Sequence, residues 1–306
     1  MEVYRSTESL PKFRNAVITI GTFDGVHLGH QKIIDALVTE AERVGGESVL
    51  ITFDPHPRKI INPSVSLQLI NTLEEKIELL RKKGIDHVVI VPFTEAFSEQ
   101  NPDTYIRDFL IARFHPHTVI IGYDHHFGKN RGGNYKLLEE RAEEYNYHLL
   151  EIPKHVIDEI GISSTKIRQA ILHSDIDTTN KLLGYDFFFE GLVVEGDKLG
   201  RQLGYPTANL VYTNEDKIHL GEGVYAVYAN VDDKIIPGMM SIGKRPTLND
   251  TIEKVEVNLF DFSDNLYSKT MRVIVKKYLR PQEKYNSLDE LKAQISRDKI
   301  ESLKVL

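Results

Sequence analysis

The sequence predicts an α/β domain with a parallel sheet, followed by a small antiparallel β-barrel that ends in a terminal helix. The length of 306 residues is typical of about two domains. Strand-like and helix-like segments alternate as far as residue 183, as they do in βαβ units. Beyond residue 186, short strand-like segments follow one another, as they do in a barrel. We therefore divide the chain into domains 1–183 and 184–306.

In the first domain, apolar runs predict strands and amphipathic stretches predict helices. The predicted strands are 17–20, 48–53, 87–92, 118–122 and 148–152, and the predicted helices are 31–44, 73–83, 104–114, 135–145, 165–174 and 178–183. Parallel sheets bind ligands outside the carboxyl ends of their strands. The loops 22–30, 54–58, 92–101 and 122–133 follow those ends, so a site is expected among them.

In the second domain, the predicted strands are 187–195, 223–231, 234–242, 254–260 and 271–279, and a helix is predicted at 287–300. Val255, Val257 and Leu259 alternate with Glu256, Asn258 and Phe260. This period of two places the three aliphatic side chains on one face of the strand and Glu256 on the other. Glu256 is therefore expected opposite the apolar face, inside the barrel or on its rim.

Composition narrows the class of protein. The net charge of −7 and the sequence pI of about 6.0 lack the basic footprint of a nucleic-acid binder. The absence of cysteine excludes disulfides, thiolate metal sites and a cysteine nucleophile. The N-terminal residues hold no apolar signal core, and no apolar run is long enough for a membrane span. A cytoplasmic protein that does not act on membranes is expected.

The most informative segment is residues 18–30, ITIGTFDGVHLGH. Gly21 and Gly25 allow the backbone to approach a phosphate closely, and the helix that begins near His27 directs its free N–H groups at the same place. His27 and His30 lie about one turn apart on one helical face and can each donate a ring N–H to phosphate oxygens. This HxGH pattern is typical of nucleotidyltransferases, which attack the α-phosphorus of ATP. Two core or solvent-facing histidines are the alternative, and a metal site is disfavoured because the pattern is short of ligands.

A second phosphate-binding segment is predicted at residues 161–168, GISSTKIR. Ser163 or Ser164 is a natural N-cap for the helix that follows. The free helix N–H groups, the hydroxyls, Lys166 and Arg168 together form an anion site suited to β- and γ-phosphates. A capped surface helix with solvated cations is the alternative when this segment is taken alone.

Two further loops are candidate walls of the same site. Residues 54–58, DPHPR, are stiffened by two prolines that fix φ. Residues 122–133, GYDHHFGKNRGG, offer a carboxylate, aromatic rings, cations and glycines that could close over a ring or a phosphate. A plain turn and a flexible surface loop remain equally open interpretations.

In the second domain, residues 196–209, GDKLGRQLGYPTAN, are dense in glycine and cations and could cover the phosphates of a nucleotide. If extended, Thr207 and Asn209 point the same way, and a hydroxyl and an amide oxygen are hard ligands suited to Mg²⁺. Glu256 could take a proton from a substrate hydroxyl. A barrel with a glycine-rich hairpin and an exposed glutamate is the alternative for each piece alone.

These segments resemble the bacterial bifunctional riboflavin kinase/FAD synthetase family over essentially the whole chain, in order. The matching motifs are GTFDGVHLGH, TFDPHPR, the 122–128 loop, ISSTKIR, GDKLGRQLGYPTANL, GVYAV, GMMSIGKRPT, VEVNLFDF and LRPQEKY. The resemblance implies an N-terminal FMN adenylyltransferase of Rossmann-like nucleotidyltransferase fold and a C-terminal riboflavin kinase with a six-stranded barrel. It also implies ATP and Mg²⁺ as cofactors, with riboflavin, FMN and FAD as substrates and products.

The resemblance implies roles for individual residues. Glu256 would be the base on the ribityl hydroxyl, His27 and His30 would stabilise the charged transition state of adenylyl transfer, and Arg168 would hold pyrophosphate. The implied ATP-binding residues of the adenylyltransferase are Gly21, Thr22, Phe23, Asp24, Gly25, His27, His30, Ser163, Ser164, Thr165 and Arg168. Its implied FMN-binding residues are Asp54, His56, Arg58, Asp124 and Phe127. In the kinase, the implied nucleotide-binding residues are Gly196, Lys198, Gly200, Gly204, Thr207 and Asn209, with Thr207 and Asn209 holding the metal, and the implied flavin-binding residues are Glu256, Asn258 and Arg280.

Two positions depart from the family pattern: His125 stands where a phenylalanine is usual, and Asn258 stands where a histidine is frequent. The first affects ring stacking by the 122–128 loop, and the second affects substrate contacts in the kinase. Other HxGH enzymes, acting on phosphopantetheine, nicotinate mononucleotide or glycerol phosphate, resemble only the first half. A chain with one active domain and a flavin-storing binding protein are the remaining alternatives, and the oligomeric state is left open.

Overall fold

The computed structural model describes residues 1–64, 66–153, 161–196, 200, 203–246 and 251–306. Over these residues the chain forms two compact units, Met1–Ser164 and Thr165–Leu306. A parallel sheet in the first unit and a closed antiparallel barrel in the second confirm the predicted fold class. The contacts divide the chain after Ser164, and the boundary of the functional domains at 183/184 stays a prediction.

The first unit is built on a six-stranded parallel sheet. Its strands are β1 (Glu2–Tyr4), β2 (Val17–Ile20), β3 (Ser48–Asp54), β4 (His87–Pro92), β5 (Thr118–Gly122) and β6 (His148–Ile152). Their order across the sheet is β1-β4-β3-β2-β5-β6. The order reverses between β2 and β5, so the loops after these two strands border the crevice in which such sheets bind ligands.

Helices cover this sheet and complete its core. They are α1 (Leu28–Arg43), α2 (Pro57–Ile61), α3 (Leu73–Arg81), α4 (Glu95–Ser98), α5 (Pro102–Thr104), α6 (Ala112–Phe114) and α7 (Tyr135–Tyr145), with the π-helical segment Tyr105–Ile111 between α5 and α6. Strand residues such as Ile18 and Val119 are fully buried together with Phe114 and Leu138. Burial of this apolar surface is the main driving force for the unit.

The second unit is a closed six-stranded barrel. Its strands are β7 (Phe188–Val194), β8 (Ala208–Tyr212), β9 (Gly223–Val231), β10 (Lys234–Pro246), β11 (Thr251–Leu259) and β12 (Thr270–Arg280). They pair antiparallel in the order β10-β11-β8-β7-β12-β9, and β9 closes the ring on β10. Closure satisfies the hydrogen bonds that edge strands would otherwise leave open. Val255 and Val257 are buried, as the period of two predicts.

The helices that accompany the barrel, among those whose full extent the structure describes, are α8 (Ser164–Leu172), α9 (Ile176–Leu183) and α10 (Leu288–Val305). Helix α9 is tied to β12 by Asn180, whose Nδ2 donates to the Val275 carbonyl at 3.0 Å. Helix α10 is held by Asp298, whose carboxylate accepts two hydrogen bonds from the Arg280 guanidinium at 2.9 and 2.6 Å. These side-chain contacts fix the helices on the barrel.

The predicted bounds 17–20, 87–92, 118–122, 135–145, 148–152 and 223–231 coincide with the observed elements. Helix α1 begins at Leu28 rather than at residue 31, because the His27 side chain caps it. The predicted helix 104–114 is π-helical over Tyr105–Ile111, and strands β1 and β8 were not predicted. Within the described part of the chain, no helix is both long and apolar enough to cross a membrane.

Candidate active sites

The turn after β2 has a strained backbone. Phe23, Gly25 and Val26 have φ values of 47°, 89° and 37°. Glycine tolerates this region, whereas Phe23 and Val26 pay a conformational cost that the surrounding structure must offset. A Cβ on Gly25 would lie 3.0 Å from Cδ1 of Ile70. The turn is therefore packed into one shape, which is the condition for presenting backbone amides to a ligand.

His27 and His30 occupy the N-terminus of α1, as the spacing predicts. His27 is the N-cap and its Nδ1 accepts the His30 N–H at 3.3 Å, while the two rings stack with centroids 3.6 Å apart. The Nδ1 atom of His30 is buried without a hydrogen-bond partner among the described residues. Burial, then the neighbouring His27 and then Lys76 hold the pKa of His30 well below its usual value. His30 is therefore a neutral imidazole with an open ring nitrogen beside the free amides of a helix.

The buried side chain of Asp24 holds this turn in place. Its carboxylate is 1% exposed and accepts the N–H groups of Ile70 and Asn71 at 3.0 and 3.3 Å. A carboxylate committed to backbone donors holds the turn to the segment before α3. Sequence reasoning placed Asp24 among the ATP-binding residues, and its carboxylate supports the turn in this structure.

Lys76 is a residue that sequence reasoning missed. It lies in α3 and is buried, and its Nζ donates to the Thr22 carbonyl at 2.9 Å and to Oγ1 of Thr52 at 3.4 Å. Burial lowers the pKa of Lys76, whereas the charges of Asp24 and Asp54 raise it. The local sequence LEEKIELL carries no signal for this burial, because the turn that covers the ammonium comes from elsewhere in the chain.

The GISSTKIR segment meets the turn through Ser164. Its Oγ donates to the Asp24 carbonyl at 3.0 Å, so the part of this segment that ends at Ser164 contacts the turn within the first unit. Ser163 directly precedes α8, which begins at Ser164. Thr165 and Arg168 belong to the second unit, where Thr165 is exposed and Arg168 is buried.

The 54–58 loop begins where β3 ends, at the carboxyl edge of the sheet. Asp54 is exposed and is joined to Pro55 by a cis peptide bond. His56 is buried and caps α2, its Nδ1 accepting the Arg58 N–H at 3.1 Å. The predicted ligand wall is therefore a short capped helix that leaves the Asp54 and Arg58 side chains at the surface.

The 122–133 loop follows β5 on the other side of the crevice, and Asp124 is exposed on it. Phe127 is buried in the core and stacks on Tyr105 with centroids 4.8 Å apart, and a Cβ on Gly133 would lie 2.3 Å from its ring. The Phe127 ring therefore packs against Gly133 of the same loop from the side of the core. Its contact with FMN stays a prediction. Burial, then His126 and then Arg131 lower the pKa of His125 to about 4. His125 is therefore a neutral, half-buried ring.

In the barrel, the register places the two kinase motifs side by side. Glu256 on β11 is the Cα partner of Asn209 on β8, and both side chains are half-buried. Asn258 is buried, and its Nδ2 donates to the Pro206 carbonyl at 2.7 Å. Asn258 thus holds the backbone immediately before Thr207. The structure brings a carboxylate, an amide and a hydroxyl to one region of the barrel.

The glycine-rich segment packs against these side chains. A Cβ on Gly196 would lie 2.0 Å from Nδ2 of Asn209, and a Cβ on Gly200 would lie 3.2 Å from Oγ1 of Thr207. Both side chains are therefore directed at this segment, which leaves room for them only because it carries glycine. Gly204 has a φ of 85°, and Lys198 lies outside the described residues.

The residues present fit a magnesium ion. Thr207, Asn209 and Glu256 offer a hydroxyl, an amide oxygen and a carboxylate, which are the hard oxygen donors that Mg²⁺ prefers. Gly196 and Gly200 make room for the Asn209 and Thr207 side chains that carry two of these donors. Such a donor set is small, in keeping with magnesium that is held mainly by substrate phosphates.

Arg280, at the end of β12, is paired with Asp298 of α10. Its guanidinium donates to both oxygens of the buried Asp298 and to the Pro281 carbonyl at 2.9 Å. The hydrogen bonds to the Asp298 carboxylate raise the pKa of the Arg280 guanidinium above its usual value. The side chain holds α10 on the barrel in this structure, and its contact with flavin stays a prediction.

A strained turn at a helix N-terminus on an open parallel sheet, together with a carboxylate beside hydroxyl and amide oxygens in a barrel, is the arrangement expected of a pair of nucleotide-dependent transferases. Residues 10–166 match the family described as FAD synthetase, and residues 183–306 match the family described as riboflavin kinase. The chain belongs to the family of bifunctional riboflavin kinase/FMN adenylyltransferases.

The relatives named so include a protein from Buchnera aphidicola, 37% identical over 97% of this chain and 96% of its own length. Another, from Listeria monocytogenes, is 36% identical over 93% of this chain and 90% of its own length. A crystal structure described as a macrolide-efflux protein from Streptococcus pneumoniae matches with a TM-score of 0.89, at 27% identity over 98% of this chain and 97% of that one. The shared fold thus extends over both units.

Proposed function

We propose that the two reactions of this family occur at separate sites, one in each predicted domain, 1–183 and 184–306. The chain is an enzyme that phosphorylates riboflavin to FMN and adenylylates FMN to FAD, using ATP in both steps. We assign the kinase to the Thr207–Asn209–Glu256 cluster and adenylyl transfer to the turn after β2. The pairing of Glu256 with Asn209 across two strands is the observation that carries the kinase assignment.

In the kinase, Glu256 accepts the proton of the ribityl 5′-hydroxyl as that oxygen attacks the γ-phosphorus, and ADP leaves. Thr207 and Asn209 would hold a magnesium ion, which would neutralise charge on the phosphates. Asn258 fixes the backbone that carries Thr207. Flavin contacts from Asn258 and Arg280, and nucleotide contacts from Gly196, Lys198, Gly200 and Gly204, belong to the same proposal.

In adenylyl transfer, a phosphate oxygen of FMN attacks the α-phosphorus of ATP and pyrophosphate leaves. His27, His30 and the amides of the α1 N-terminus stabilise the charge that develops on the transferred group. The family resemblance assigns the pyrophosphate to Ser164, Thr165 and Arg168, of which Ser164 contacts the turn within the first unit. No covalent enzyme intermediate is needed, because positioning and electrostatics are sufficient for this step.

The remaining assignments of this proposal concern the contacts with FMN, the limits of the two domains, the class of substrate and the cellular location. Asp54, His56, Arg58, Asp124 and Phe127 form the FMN side of the first site, and the functional domains divide at 183/184, where the match to the riboflavin kinase family begins. The net charge of −7 supports small-molecule rather than nucleic-acid substrates. We place the enzyme in the cytoplasm, where ATP is available to both reactions.

The test separates the two sites by substitution. Glu256→Gln should abolish FMN formation from riboflavin and leave FAD formation from supplied FMN unchanged, whereas His30→Ala should do the reverse. Flavins are separated by chromatography after incubation with ATP and Mg²⁺. Matched controls are Glu222→Gln, in an exposed ion pair with Lys244, and His173→Ala, an exposed residue at the end of α8.

Three results would contradict the proposal. Loss of both activities in either folded variant would disprove the two-site assignment. Tight flavin binding without turnover by the unaltered protein would indicate a storage protein instead. FMN accumulation without FAD would indicate a chain with one active domain.

A further inference from the structure

Lys76 is a buried cation beneath the turn that carries the HxGH pattern. It is 6% exposed, although lysine is among the residues that are almost never buried without partners. The helix that carries it is fixed at its N-terminus by a capping box between Thr72 and Glu75. The ammonium is thus brought to one place by a rigid element, and burying it costs solvation free energy that its partners must offset.

The partners of this ammonium all lie at the carboxyl ends of β2 and β3. Nζ donates to the Thr22 carbonyl at 2.9 Å and lies 3.4 Å from Oγ1 of Thr52, which in turn donates to the same carbonyl at 3.1 Å. Asp24 and Asp54 supply the opposite charge. The Thr22 carbonyl therefore receives two donors, which fixes the peptide that opens the turn.

We propose that Lys76 is a positioning residue for adenylyl transfer, acting through the Thr22 carbonyl and through His30. Because this inference rests on the proposed function of the first unit, its test must be read against the activity of the unaltered enzyme. Two hydrogen bonds hold a peptide that borders the positive φ values of Phe23 and Gly25. Without the ammonium, the turn can relax and its amides lose their alignment with the phosphates.

The second route is electrostatic. The titratable groups that act on His30 are His27 from its own helix and Lys76 from α3, and the Phe23 ring lies 5.2 Å away as an uncharged neighbour. A cation disfavours a second cation nearby, so Lys76 lowers the pKa of His30 in addition to burial. The neutral ring then persists below pH 6.5, and removing the charge should bring its protonation closer to neutral pH.

The experiment compares Lys76→Met, Lys76→Arg and Lys82→Met in the full chain. Lys82 is exposed and pairs with Glu78, so its substitution is a matched control next to the same helix. FAD formation from FMN is measured for kcat and KM across pH 5 to 9. Near-UV circular dichroism reports aromatic packing in both units, and riboflavin phosphorylation in the same preparations reports an intact second unit, so that a loss of packing confined to the first unit is recognised.

For Lys76→Met we expect kcat/KM of FAD formation to fall by roughly 100-fold at pH 7.5. We also expect the acid limb of the pH profile, where kcat/KM declines as pH falls, to move to higher pH. Lys76→Arg should restore part of the activity and return the limb towards its original position, and phosphorylation should stay unchanged in all variants.

A folded Lys76→Met enzyme with unchanged kinetics and pH profile would overturn the inference. It would equally be overturned by a loss that only follows the fraction of unfolded first unit. If the unaltered chain formed no FAD, the proposed function would fail instead.

Discussion

Asn258 offers a direct test of how the kinase site is held. Asn258→Ala removes the 2.7 Å hydrogen bond from Nδ2 to the Pro206 carbonyl, which precedes Thr207 by one peptide. Because Pro206 is exposed, water can replace the lost donor, so the net loss is that of an ordinary hydrogen bond, about 0.5–1.5 kcal/mol. If that loss appears as misplacement of Thr207, kcat/KM of phosphorylation falls by about 2- to 13-fold. Asn258→Asp should be worse, because a carboxylate oxygen would face the carbonyl.

The assay follows FMN formation from riboflavin at varied MgATP concentrations, with FAD formation from FMN as the control for an intact first unit. We expect the loss to appear mainly as a higher KM for MgATP, since Thr207 is assigned to the metal rather than to the proton transfer. Asn258→His, the residue frequent in the family, should keep a donor at this position and lose less. A folded Asn258→Ala enzyme with unchanged kinetics would refute this reasoning.

Three further predictions address separate features. Gly196→Ala should lower phosphorylation while leaving the melting temperature nearly unchanged, because its Cβ would lie 2.0 Å from the movable end of Asn209; a normal rate would contradict this. Asp298→Ala should lower the unfolding free energy of the second unit in urea by about 3 kcal/mol, because it leaves the Arg280 guanidinium without its buried partner. His125 has a pKa of about 4 when folded, below its unfolded value, so the folded state loses stability as pH falls from about 6.5 to 4; His125→Phe should flatten that part of the stability profile in urea titrations.

The elements that the sequence predicted well are those whose own pattern decides them. Strands such as 87–92 and 118–122 are continuous apolar runs, and they occur at the predicted residues. Strand β1 escaped prediction because it has three residues and depends on pairing with β4. The π-helical segment Tyr105–Ile111 has the same apolar spacing as an α-helix over so few residues, so period alone could not distinguish the two.

The candidate sites were predicted as segments rather than as contacts. The string around His27 and His30 predicts a helix N-terminus with two rings on one face, and the structure contains it. The sequence could not show that Lys76 lies beneath this turn, because α3 is separated from β2 by more than fifty residues. Its local pattern is that of an ordinary amphipathic helix, in which lysine is usually exposed.

Phe127 and Arg280 illustrate a different limit of motif reasoning. The resemblance assigns both to flavin, yet Phe127 stacks on Tyr105 inside the core and the Arg280 guanidinium donates to Asp298. A motif identifies a position that a family uses, and it does not say which atom of that position meets the ligand. Substitution of either residue should therefore change the stability of its unit as well as flavin affinity, because Phe127 also stacks on Tyr105 and Arg280 also pairs with Asp298.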